Sequence, residues 1–268
     1  MCLEQLRPVD FDSPKSVEQL LFKYYPNRDY HLEAFRRGEL FLAKPKVLND
    51  SFDTTNILIE PYNHFKQLIC WNEKKATAFE NHGICSFIEA PEIKQERMWA
   101  FYANNYDGFA IEYNPNEFNQ EKYAPLQLLP VKYLNKPLNL DDLNLRIHIN
   151  DNDIAIQDLE QESVRNADYF LKCLHLVKNK KVWEDEHEWR LIKAERNPQN
   201  TSCQEHANKT GFILQIGNGA YKSLYIGYRV SSAIRDSLLR IAELKHMRVF
   251  VVAPQILNGR WDILIKPI

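Results

Sequence analysis

The chain is poor in the residues that loosen or staple a polypeptide. Only 8 of its 268 residues are glycine, and no Gly/Ser-rich stretch, low-complexity segment or internal repeat interrupts it. A flexible linker of that kind is excluded, and one compact domain over residues 1–268 is expected. Cysteine is scarce: Cys2, Cys70, Cys85, Cys173 and Cys203 are an odd, scattered set without a Cys-x-x-Cys pair. That argues against a disulfide framework and for reduced thiols in a cytoplasmic protein. Cys203 and His206 form a lone Cys-x-x-His, two ligands where a structural zinc asks for four, so no metal site is expected. No apolar run approaches the roughly 20 residues of a membrane span. The opening MCLEQLRPVDFD carries charges where a secretory signal needs an apolar core. Nor is one sign of charge in excess: 34 Lys+Arg against 36 Asp+Glu leave a net charge of -2. No overall basic field draws in nucleic acid, although a local patch stays open.

What is present is an ordinary globular composition, 44% hydrophobic, 26% charged and 12% aromatic, which excludes disorder as the general state. Ser13-Pro14 reads as a helix start, and Val17, Leu20 and Leu21 follow at helical spacing, so a helix is expected to run toward Tyr24 and stop near Pro26. RDYHLEAFRRG reads as a short helix ended by Gly38, and ELFLA (39–43) as a strand before a proline turn. Helical spacing marks 61–81 and about 93–104. GICSFIE (83–89) and GFAIEYN (108–114) read as strands. Over 152–179, apolar residues from Ile156 to Val177 recur at threes and fours and predict a long core-packing helix. The strands EWRLIKA, GFILQIG, SLYIGY, RVFVVA and WDILIKP come late, with a helix near 231–245. Helices dominate the middle and strands the end, an α+β pattern of antiparallel or mixed sheets with packed helices.

The stretch WEDEHEWRLI (183–192) sets four acidic residues and an arginine around a strand-like run. In an extended chain Glu186, Glu188 and Arg190 share one face, and His187, Trp189 and Leu191 the other. The charged face is either a solvated ladder of ion pairs or the wall of a site, and Trp183 and Trp189 bracket it. NDSFD (49–53) reads first as an Asx-type turn. Functionally it offers Asn49, Asp50 and Asp53 to a cleft. In MWAFY, Trp99 and Tyr102 are helix-face neighbours, core by default and stacking platforms otherwise. Lys23-Tyr24-Tyr25 offers a cation and two phenols.

Four stretches together resemble a bacterial family, domain of unknown function 2971. They are FKYYP with HLEAFRRGELFLAKPKVLNDSFD, GICSFIE with MWAFYANNYDGFAIEYN, KKVWEDEHEWRLI, and SLYIGYRV followed by a helix. Against the family pattern Ser51 replaces a proline, Phe101 a histidine and Asp185 an aromatic. If relatives depend on that imidazole for catalysis, this chain lacks it.

A Glu-x-Glu pair before a late strand is similar to the arrangement in ADP-ribosyltransferases, and the order of parts is ADP-ribosyltransferase-like as well. That resemblance implies NAD as substrate. Glu188 would stabilise the ribosyl cation, Glu186 would orient the acceptor or act as base, and Tyr102 with Tyr24 would hold nicotinamide. Lys23, Ser86, Asn49, Asp50 and Arg190 would complete the NAD site. The implied role is a toxin or phage-defence effector with a protein or nucleic-acid acceptor and a cognate antitoxin or defence partner. Two alternatives stand beside it. One is a metal-dependent nuclease using Asp50, Asp53, Glu188 and Lys193, and the other is a non-enzymatic binding or adaptor module.

Overall fold

The computed structural model describes residues 20–48, 57–58, 82–89, 92–119, 126–136, 138–139, 146–149, 154–157, 175–193, 203–208 and 210–268. Among these, 11 strands form the largest sheet. They are β1 (Leu21–Pro26), β2 (Glu39–Ala43), β3 (Gly83–Glu89), β4 (Gly108–Tyr113), β5 (Leu126–Pro130), β6 (Glu188–Lys193), β7 (Cys203–Glu205), β8 (Gly211–Gln215), β9 (Tyr221–Gly227), β10 (Arg248–Leu257) and β11 (Arg260–Pro267). The helices that pack on it are α1 (Asp29–Arg37), α2 (Glu96–Tyr102) and α4 (Ser232–Leu244), and a single turn, α3 (Lys180–Trp183), follows the short strand Val177–Asn179. The class is α+β, as the pattern of elements predicts.

The strand order is β7, β8, β2, β3, β1, β4, β9, β10, β11, with β6 pairing β3 and β5. Neighbours are antiparallel except β9 and β10, a parallel pair joined through α4. The sheet branches at β3. One edge of β3 pairs with β6 along its length, Glu188 opposite Ile88 and Lys193 opposite Gly83. The other edge is shared: Ile84 meets Ala43 of β2, while Ile88 and Glu89 meet Phe22 and Leu21 of β1. Lys23 spans the gap between, its Nζ donating to the Ser86 carbonyl at 3.2 Å. A backbone acceptor left open by the branch thus finds a donor.

Strand alternation sorts the core into two layers. Leu21, Leu42, Cys85, Phe87, Ile111, Leu191 and Leu224 pack with Leu32 and Phe35 of α1 and Leu238 and Ile241 of α4. Phe22, Tyr24, Ile88, Ala110 and Tyr225 face the other way, against Met98 and Trp99 of α2. α1 ends as expected at Gly38, whose φ of 74 is the left-handed conformation that glycine adopts without strain.

Two expected helices are corrected. Residues 13–19 lie outside the described residues, but Leu21–Pro26 is strand, not helix. Apolar and aromatic residues on both faces and ladders to β3 and β4 outweigh the helical start signal. Of the helix expected over 152–179, residues 158–174 lie outside the described residues. Its ends are strands, Ile154–Gln157 against Arg146–Ile149 and Val177–Asn179 parallel to Lys132–Leu134. Period alone does not separate a buried strand from one turn of a buried helix. Residues 61–81 are also outside the described residues. No helix among those described is long and apolar enough to cross a membrane.

Candidate functional site

On the α2 side of the sheet, at the branch, lies a cleft of about 570 Å³ of empty space, part of it open to solvent. Lys23, Tyr24, Ser86, Tyr102, Glu186, Glu188 and Arg190 all line it. Seven of the nine residues expected to form the NAD site therefore meet at one place. The other two, Asn49 and Asp50, lie outside the described residues, immediately after Leu48, which lines the cleft.

Pairing with β3 and β5 brings the charged residues in. Both edges of β6 are paired and both faces are covered, so Glu188 is 4% and Arg190 1% exposed. A solvated ladder is excluded. Glu186 departs from the extended geometry expected for it: it ends the 3-10 turn Glu184–Glu186, and His187 follows in the left-handed region with φ 43. The turn swings Glu186 in beside Glu188, and it is 5% exposed.

Lys178 joins the two carboxylates. Its Nζ is 3.0 Å from Glu188 Oε2 and 3.5 Å from Glu186 Oε2, and it sits 4.2 Å from the centroid of the Trp183 ring. Arg190 donates from Nε to Glu188 Oε1 at 2.8 Å, from Nη2 to Glu188 Oε2 at 3.3 Å, and from Nη1 to the His175 carbonyl at 2.7 Å. Tyr102 donates its hydroxyl to Glu186 Oε1 at 2.7 Å, and the Ser86 hydroxyl bonds Glu188. Tyr133 accepts the Glu188 backbone N–H at 2.8 Å. Burial by itself raises the Glu188 pKa, but Arg190, Lys178 and the hydrogen bonds outweigh it and hold the group down at about 2. Glu188 is therefore ionised throughout the physiological range.

Lys178 and Tyr133 were not among the expected site residues. Lys178 comes from a stretch read as helix, and its approach depends on the parallel pairing of Val177–Asn179 with Lys132–Leu134, which no local pattern announces. The bracketing by two tryptophans is half corrected. Trp183 covers Lys178, but Trp189 points to the opposite face of the sheet, where its indole N–H donates to Glu89. The alternation that brings Glu188 and Arg190 inward turns Trp189 away.

Other expected residues have structural placements. Trp99 is fully buried, donates to the Ile93 carbonyl at 2.8 Å and stacks on Tyr106 at 5.4 Å. Tyr24 meets Trp99 edge-on at 5.1 Å. Tyr25 turns to the opposite layer, its hydroxyl 2.9 Å from that of Tyr113. Lys193 shares a face with Trp189 and Leu191, and its Nζ is 4.3 Å from the Phe212 ring centroid. His206 presents Nδ1 to Asn208 Oδ1 at 2.6 Å, within a local turn.

Two departures from the family pattern are also resolved. Phe101 is 76% exposed and does not line the cleft, so the position of the missing histidine lies on the outer side of α2. Asp185 tethers α2 to the 184–186 turn, its carbonyl accepting from Gln95 at 2.9 Å and its carboxylate 3.4 Å from Arg97 Nη1. Ser51 lies outside the described residues.

Fold and site together define an α+β protein whose branched, mainly antiparallel sheet carries a buried charged cluster in a cleft. Residues 98–191 match the family described as Protein of unknown function (DUF2971). The match includes Tyr102, Lys178, Glu186, Glu188 and Arg190, and leaves out Lys23, Tyr24 and Ser86. No curated protein and no solved structure matches the chain.

Proposed function

We propose that the cleft binds NAD and that the protein is an NAD-dependent ADP-ribosyltransferase-like enzyme. The observation that carries this reading is the convergence of seven expected residues, from four separate stretches of chain, on one cleft. Phe22, Ile88 and Met98 give an apolar wall for a ring. In the reaction, the bond from ribose C1′ to the nicotinamide nitrogen breaks and its electron pair leaves with nicotinamide. The ribosyl centre becomes cationic, and ionised carboxylates stabilise that charge more in the transition state than in the ground state. An acceptor oxygen or nitrogen then bonds to C1′ and releases its proton. The acceptor is a protein or nucleic acid, and the biological role that fits is a toxin or defence effector held in check by a partner.

The test is nicotinamide release by the purified chain, alone and with bacterial lysate, together with NAD-induced thermal stabilisation. Release that depends on the cleft carboxylates supports the assignment. A folded protein that neither releases nicotinamide nor is stabilised by NAD rejects it.

One observation favours a second reading, a non-enzymatic binding module. Glu188 is so fully paired that the cluster could serve architecture alone. In that case every cleft variant loses stability and none changes a reaction. Of the residues that the nuclease reading uses, Asp50 and Asp53 lie outside the described residues, and Lys193 faces away from Glu188.

A further inference from the structure

The two carboxylates of the cleft are not equivalent. An ionised carboxylate offers about four lone-pair sites. Glu188 meets four donors: Arg190 Nε at 2.8 Å, Arg190 Nη2 at 3.3 Å, Lys178 Nζ at 3.0 Å, and the Ser86 hydroxyl. Glu186 meets two: the Tyr102 hydroxyl at 2.7 Å and Lys178 Nζ at 3.5 Å, the latter at the outer limit of a hydrogen bond. Both line the cleft. Glu188 is rooted in a strand paired on both sides, whereas Glu186 stands on the turn beside it.

We propose that Glu186 is the carboxylate that touches the substrate, and that Glu188 is a positioning residue acting through Lys178 and Arg190. The cation-stabilising role expected of Glu188 thereby passes to Glu186, which keeps its expected role as base. Glu188 neutralises the two buried cations, Lys178 is locked between Glu188 and the Trp183 ring, and the ammonium with the Tyr102 hydroxyl fixes the direction of Glu186. Two acceptor sites of Glu186 are left for the ligand. The ligand group they suit carries donors or positive charge, such as a sugar hydroxyl or an oxocarbenium carbon. Resting on the transferase reading, the step is this: as the bond from C1′ to nicotinamide breaks and the electron pair leaves with the ring, Glu186 faces the cationic C1′. It then takes the proton released when the acceptor atom bonds to C1′.

The deciding experiment does not need NAD. The full chain is treated with a water-soluble carbodiimide and glycinamide, and coupling within residues 182–190 is located by fragment-ion mass spectrometry, with exposed Glu184 and Asp185 as internal positive controls. Coupling at Glu186 with Glu188 spared is the expected result. Equal coupling, preference for Glu188, or a Glu186 as inert as Glu188 overturns the assignment.

Nicotinamide release gives the second measurement. Glu186→Gln should lower it by about 100-fold or more, the range of a positioned proton acceptor, while lowering the melting temperature less than Glu188→Gln does, since Glu186 holds fewer partners. Glu188→Asp, which keeps the charge, should retain the turnover that Glu188→Gln loses at unchanged NAD affinity. Full turnover in Glu186→Gln would also overturn the proposal. If wild-type protein releases no nicotinamide, the transferase reading falls on its own and the coupling pattern decides between the carboxylates.

Discussion

Placing Glu186, Glu188, Lys178 and Arg190 together out of water is costly, and such clusters persist only while every member keeps its partner. Removing one charge leaves the others uncompensated, so Glu188→Gln should destabilise the fold by about 3–5 kcal/mol in denaturant titrations. The same pairing gives an acid signature. Glu188 titrates at about 2 in the fold against an ordinary 4.5, so its contribution is complete above about pH 4.5 and is lost as pH falls through 2. His82 acts in a higher window. Its Nδ1 lies 2.8 Å from His175 Nε2, and burial, then the nearby Lys193 charge, lower its pKa from 6.5 to about 4. The unfolded chain therefore binds this proton first, and stability should decline as pH falls from 6.5 through 4. His82→Gln should flatten that upper segment and leave the decline below about pH 4.5, which denaturation midpoints at stepped pH would resolve. At Phe101 the expectation is the reverse. The side chain is 76% exposed, so Phe101→His should change stability by less than about 0.5 kcal/mol and leave nicotinamide release unaltered. A large gain in release would show that the family histidine acts in the cleft after all.

At the scale of elements, legibility followed locality. The helix before Gly38, the strands GICSFIE and GFAIEYN and the late strands were readable because their periodicity and punctuation agree with their packing. β1 was not, because a Ser-Pro start upstream competed with a strand whose identity is decided by ladders to residues more than sixty positions away. The site shows the same division. Glu186, Glu188 and Arg190 were visible as one short charged run, but Lys178 is delivered by a parallel pairing with Lys132–Leu134. The alternation argument placed Glu188 and Arg190 correctly and failed at Glu186, where the chain turns. A glycine shows how tightly the elements meet: a Cβ on Gly108 would lie 2.4 Å from the Tyr25 carbonyl and 2.8 Å from that of Ala103. Gly108→Ala should force β1 away from the α2–β4 turn and cost upwards of about 1–3 kcal/mol, the range of overpacked sites, measured as a lowered melting temperature.

Across the whole molecule, the branch at β3 places the cleft where the sheet divides, beside its most fully paired strands. β4 is paired along both edges, with β1 and β9, and β6 likewise, with β3 and β5, while β11 among the described residues pairs with β10 alone. Hydrogen exchange should therefore be slower at β4 and β6 than at β11, since protection follows depth in the ladder. Equal protection throughout would contradict this order.

Four of the five tryptophans lie among the described residues, and their distribution makes the chain its own optical probe. Trp99 and Trp189 are buried and Trp261 is 86% exposed, so the first two emit from apolar surroundings and the last from water, all at a distance from the carboxylates' face or in the core. Trp183 alone of these four has an ammonium held over its ring, and that positive charge perturbs the excited-state dipole of the indole. Anything that enters the cleft and draws Lys178 toward itself changes the field on that one fluorophore, so occupancy would be read as a shift in emission wavelength without a label.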